Sequence, residues 1–194
     1  IKQIKIMKTL KTLLLTSAFI FSFSSEAQTK NIEGIDFPET ISINGQKTVL
    51  NGGGLRTKLI FLDLYVGALY LQTKTSDAQN VIMSDEEMGI RIEIASKLVT
   101  QERFIEALEE GFANASAGKS NSNDVQKFKN FLKDEFEKGD VISLNYHSGD
   151  AVYLSKNDKQ LGNFQGLAFK QALFSIWLGD VPAQESLKDD MLGK

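Results

Sequence analysis

The chain has no cysteine, and that absence removes disulfides, thiol nucleophiles and thiolate metal sites together. Its one histidine, His147, sits beside Ser148-Gly149 with no partner indicated by spacing, so it reads as a solvent-exposed turn residue, not a catalytic base or metal ligand. No G-x-S-x-G, H-E-x-x-H or P-loop spacing occurs. Asn51-Gly52-Gly53-Gly54 lacks the following helix and Lys-Ser/Thr pair of a phosphate cradle, and reads as a tight turn or bulge. Glu109-Glu110 and Asp189-Asp190 read as solvated faces. Neither a metal nor a cofactor is expected. An apolar run long enough to cross a bilayer is also missing: Thr12 to Phe23 is about a dozen residues, against roughly 20 for a span.

That short run has the setting of a secretory signal. Lys8 and Lys11 follow Met7, the apolar stretch comes next, and Ser25-Glu26-Ala27 places small residues at −3 and −1 of a cleavage site. Residues 1–27 are therefore expected to be an N-terminal extension plus a cleaved signal peptide, and residues 28–194 one mature domain. The destination would be the periplasm or the exterior. No cysteine follows the run, so lipid anchoring there is excluded. Four of the 22 basic and one of the 25 acidic residues lie before Gln28, so the mature chain has a net charge of −6. That surplus argues against nucleic acid and anionic membranes as main partners, and no stable membrane insertion is expected after cleavage. A cysteine-free exported chain of this length must be held by its core.

The pattern of elements is α+β. Thr40 to Asn44 and Lys47 to Leu50 flank the hairpin signal Asn44-Gly45, after which the glycine run is expected to interrupt the strand. Leu55 to Leu71 is too long for one flat strand and predicts a break near Asp63 or Gly67. A short helix over Ser76 to Met83 would have Ser76 as N-cap. Gly89 to Ser96 alternates as a strand. Two amphipathic helices should follow: Thr100 to Ala115, capped by Thr100, and one capped by Ser122 or Asn123, running through Phe136 to Gly139-Asp140. Val141 to Tyr146 and Ala151 to Ser155 pair around Ser148-Gly149-Asp150, and Asn157-Asp158 turns the chain again. Leu167 to Leu178 predicts a helix with Ala168, Ala172, Ser175 and Ile176 on its apolar face, and Pro182 starts a last helical stretch. The order does not repeat βαβ.

Arg56 stands out chemically, two residues after the glycine run in an otherwise apolar strand. Such a guanidinium must snorkel to solvent beside Lys58 or meet an acceptor. A bound carboxylate or phenolate would satisfy it bidentately. The phenylalanines Phe104, Phe112, Phe128, Phe131 and Phe136 form an aromatic stripe that reads as core or as the lining of an apolar pocket.

Asn51-Gly-Gly-Gly-Leu-Arg-Thr-Lys58, Tyr65-Val-Gly-Ala-Leu-Tyr-Leu71, Glu110-Gly-Phe112, Lys138-Gly-Asp140 and Ile176-Trp-Leu-Gly-Asp180 together resemble the bacterial chalcone isomerase-like family, over Ile32 to Leu192. The resemblance implies an antiparallel sheet with helices layered on one face and a ligand cleft between. Plant chalcone isomerases use an Arg, a Thr, a Tyr, an Asn and a further Ser/Thr around that cleft. By the resemblance the Arg is Arg56, and the strand Thr falls near Tyr65. The helical Tyr becomes Phe104 and the Asn becomes Gly111, both departures that lose a polar group. The last position is Ser175 or, one residue on, Ile176. The fold also includes non-catalytic fatty-acid binders, in which the Arg and a strand Tyr hold the carboxylate. Arg56 with Tyr65 or Tyr70, and Phe104 with Phe112, suit that role.

The expected function is accordingly an exported, non-catalytic protein that binds a small amphipathic acid, such as a fatty or aromatic acid, at Arg56, Tyr65, Tyr70, Phe104, Phe112 and Ser175. The alternatives are an isomerase for a phenolic or enone substrate, and an envelope interaction protein without a ligand, in which Arg56 pairs internally with Glu93 or Asp63.

Overall fold

The computed structural model describes residues 28–58, 62–118 and 122–194; the expected signal peptide lies outside the described residues. Two short strands, β1 (Thr29–Ile32) and β2 (Ile35–Pro38), form a hairpin of their own. A seven-stranded antiparallel meander follows, with neighbours in chain order: β3 (Thr40–Ile43), β4 (Gln46–Lys58), β5 (Leu62–Leu71), β6 (Met88–Ile94), β7 (Val141–Tyr146), β8 (Ala151–Lys156) and β9 (Lys159–Gln165). Helix α1 (Ala78–Met83) links β5 to β6, while α2 (Gln101–Ala113) and α3 (Ser122–Phe131) link β6 to β7; α4 (Leu167–Leu178) and α5 (Glu185–Met191) close the chain. No described helix is long and apolar enough to cross a membrane.

Strand alternation divides the apolar residues between two cores. Tyr65, Leu69 and Leu71 of β5, with Ile90, Ile92 and Ile94 of β6, face the helix layer. Val66, Ala68 and Tyr70 point the other way, under the β1–β2 hairpin, where Phe37 and Ile32 cover them. Helix α4 lies within the larger core, with nine of its 12 residues buried. A helix apolar on every side belongs between layers. That differs from the one-sided face read from the sequence, and Ala168 is in fact exposed.

Several local expectations hold for the reasons given. Asn44 and Gly45 both take positive φ (50° and 79°), as a two-residue turn between twisted strands requires. Thr100 caps α2 by accepting from Arg103 N at 3.4 Å. Other boundaries move. The glycine run does not end the strand: β4 continues through it, with the expected bulge at its start, where the register against β5 shifts between Leu50 and Gly52. Helix α5 lies so close that a Cβ on Gly52 would collide with the Asp190 carbonyl and one on Gly54 with the Asp190 side chain. Of the two places offered for the break, the one near Asp63 is right, since β4 ends at Lys58 and β5 begins at Leu62; Gly67 is mid-strand, between Gly54 and Ile92. Asp77, not Ser76, caps α1, its carboxylate accepting from Asn80 N at 3.0 Å.

Helix α3 stops at Phe131, and Leu132 and Phe136 reach the core from irregular chain beyond it. Helix α5 begins at Glu185, with Pro182 in the irregular segment before it. His147 is half-buried, stacked on Tyr153 at 4.2 Å, so it is less exposed than its turn suggests. Strands β1, β2 and β9 are not legible in the sequence, since each places only one residue fully in the core.

Candidate functional site

A cleft of about 500 Å³ opens between the sheet and the helix layer. Strand β4 contributes Arg56, β5 Tyr65, α2 Phe104 and Gly111, and α4 Ile176 and Trp177, while Val181 to Ala183 form one lip. Arg56 and Tyr65 are cross-strand neighbours, so their side chains share a face. Directly after them the register slips: Thr57 pairs with Asp63, and Leu64 is left as a bulge. A bulge of this kind re-aims the neighbouring side chains.

The polar end of the cleft is built from four residues. Trp177 Nε1 donates to the Tyr65 hydroxyl at 3.0 Å. Burial pushes the Tyr65 phenol above its ordinary value, against the pull of the Trp177 hydrogen bond and the Arg56 charge, so it remains a neutral hydroxyl. Arg56 Nη1 donates to Thr57 O at 2.9 Å and to Gln184 Oε1 at 3.0 Å. The ion pairs among the described residues are Lys129–Glu109, Lys156–Asp140 and Lys194–Asp189, and Arg56 is in none of them. The internal carboxylates considered for it are elsewhere. Glu93 pairs in register with Val66 on the opposite face of the sheet and feels Arg91, and Asp63 is exposed.

Most of the remaining wall is apolar, with Lys58 and Asn114 also lining the cleft. Phe104 meets Tyr65 edge-on, ring centroids 6.3 Å apart, and is braced by Phe136 at 5.2 Å. At the mouth, Leu98 and Val181 are 53% and 60% exposed; Met83 is the one other large hydrophobic so exposed among the described residues. Apolar lips around a charged interior suit an amphiphile. Arg103, Glu106 and Glu110 of α2 add a mixed-charge rim, so the net field of the mouth is not of one sign.

Of the six residues read from the sequence, three come together here: Arg56, Tyr65 and Phe104. Tyr70 is on the far face of β5, its hydroxyl donating to Pro38 O at 2.9 Å, and burial raises its phenol to about 12. Five residues along a strand reverse the direction of the side chain. Phe112 belongs to a ring cluster with Phe128 and Phe169, at 6.3 and 5.7 Å. Ser175 is buried and spends its hydroxyl on Gln171 O one turn back, at 2.7 Å; the cleft position is taken by Ile176. Trp177 and Gln184 were missed. The only tryptophan, one residue past Ile176, offered a signal; Gln184 offered none, because its contacts lie 128 residues away.

Gly111 and Phe104 also limit the chemistry. A Cβ at Gly111 would sit 2.6 Å from Ile176 Cγ2, so α2 and α4 touch there and no side-chain amide fits without moving Ile176. Phe104 supplies no hydroxyl. No cluster of His, Cys, Asp or Glu able to hold a metal occurs among the described residues.

An antiparallel meander with helices on one face is the chalcone isomerase-like architecture. The chain belongs to the chalcone isomerase-like family, whose model matches residues 29–193. Among solved structures it is similar to a fatty-acid binding protein of Arabidopsis thaliana, with a TM-score of 0.67 and 18% identity over 85% of this chain and 96% of that one. No curated protein matches the chain.

Proposed function

We propose that this protein is an exported, non-catalytic binder of a small amphipathic carboxylic acid, held by its head group at Arg56 and Tyr65. The observation that carries the reading is the Arg56 guanidinium, which lines a largely apolar cleft and stands outside every ion pair of the described residues. A carboxylate is the acceptor whose geometry matches its fork. The Tyr65 hydroxyl accepts from Trp177, which leaves its own hydrogen to donate to the same head group. At about 30 Å³ per heavy atom, the 12 heavy atoms of decanoate need roughly 360 Å³, which the cleft of about 500 Å³ accommodates. The fatty-acid binding of the Arabidopsis neighbour supports the same ligand class.

Calorimetric titration with decanoate tests this. Saturable binding is expected, weakened about 10- to 100-fold by Arg56→Ala, the worth of one or two charge-assisted hydrogen bonds. Unchanged affinity in the variant would overturn the reading. So would ring closure of a chalcone, followed by absorbance, that Arg56→Ala abolishes, since that would make the cleft an isomerase site.

A further inference from the structure

We infer that Gln184 sets the head-group selectivity of the cleft, as a positioning residue that aims the Arg56 guanidinium while leaving its charge uncompensated. The inference rests on the carboxylate-binding reading above. Gln184 precedes α5, far from Arg56 in sequence, yet its side-chain amide is wholly engaged at the bulge. Its Oε1 accepts from Arg56 Nη1 at 3.0 Å, from Thr57 N at 2.9 Å and from Thr57 Oγ1 at 3.5 Å. Its Nε2 donates to Leu55 O at 3.3 Å and to Ser186 Oγ at 2.6 Å. One residue therefore ties three consecutive positions of β4 to the start of α5 and to the lip formed by Val181 to Ala183.

The consequence for Arg56 follows from donor arithmetic. Nη1 carries two hydrogens, and Thr57 O and Gln184 Oε1 take both. The hydrogens those two acceptors leave are on Nε and Nη2, the side of the fork that meets a carboxylate, and the ligand shares the guanidinium with the Tyr65 hydroxyl, to which Arg56 also hydrogen-bonds. The holder is an amide and not a carboxylate, which matters as much. A glutamate of the same shape would accept the same hydrogen bonds from Arg56 and Thr57, but it would neutralise the guanidinium and repel a second carboxylate. Glutamine orients the cation without spending its charge, which is what selects an anionic head group over a neutral one of equal length.

The test compares decanoate with decan-1-ol on the full chain, by titration calorimetry, for wild type, Gln184→Glu and Gln184→Ala. Gln184→Glu is expected to weaken decanoate at least tenfold and to leave decanol affinity within about twofold, the retained alcohol binding showing that the cleft is intact. Gln184→Ala is expected to weaken decanoate less, again sparing decanol. Equal losses for acid and alcohol in both variants would make Gln184 merely structural and overturn the inference, as would undiminished decanoate binding by Gln184→Glu. Failure of the wild type to bind decanoate would instead remove the carboxylate reading, and this inference with it.

Discussion

Lys170 offers a quantitative test of how the helix layer is held over the cleft. It lies on α4, the helix that presents Ile176 and Trp177 to the cleft, and its side chain is completely buried. The ammonium donates to Val81 O, to Ile82 O at 3.0 Å and to Ser84 O at 2.9 Å, capping the C-terminal end of α1. The rings of Phe174 and Tyr146 lie 5.2 and 5.6 Å away. Burial lowers its pKa from 10.5 to about 8, with Asp85 and Glu86 opposing the shift. The sign follows from linkage. Between pH 8 and 10.5 the unfolded chain holds this proton and the folded chain does not, so unfolding takes up a proton and stability rises with pH. The contribution is fully present above 10.5 and is lost as pH falls through the folded value. Its size is about 1.4 kcal/mol per pH unit, or about 3 kcal/mol across the window.

Lys170→Met removes the titration and keeps most of the stem's volume. Asp85 and Glu86 face the site in both proteins and cancel in the comparison. So does Tyr146, whose hydroxyl donates to Asp85 at 2.7 Å and whose phenol burial keeps protonated. The stability of wild type minus variant, from urea unfolding followed by circular dichroism, should therefore grow by about 3 kcal/mol from pH 8 to 10.5. A flat or falling difference would refute the burial argument.

Two further outcomes are expected. Gly52→Ala should cost about 1–3 kcal/mol in the same unfolding assay, because its Cβ meets the Asp190 backbone; Gly67→Ala is the control, since its Cβ finds only ordinary contacts from 3.7 Å outward and should change stability much less. Trp177 is the only tryptophan and lines the cleft, so decanoate should shift its emission saturably, and an unresponsive spectrum at saturating ligand would place the ligand elsewhere.

Local chemistry made part of this protein legible in advance. The Ile90-Ile92-Ile94 alternation, the Thr100 cap and the Asn44-Gly45 turn depend on neighbours a few residues away, so they can be read from a short window of sequence. Arg56 was conspicuous for the same reason, as a cation in an apolar strand. The glycine run was legible as a bulge but not as continuous strand, because the need for glycine there is not local: α5, more than 130 residues further along, occupies the space its side chains would need.

By itself, then, the amino-acid sequence determined an α+β order of elements, an acidic cysteine-free domain and one suspicious arginine. Only the tertiary structure decided which partners that arginine has. Tyr65 and Tyr70 look alike in a strand buried on both faces, and it is the parity of their positions against β4 and β6 that turns one into the cleft and the other under the hairpin. Gln184 was invisible until the fold brought it against the bulge, because a hydrogen bond across 128 residues leaves no trace in the pattern of either segment.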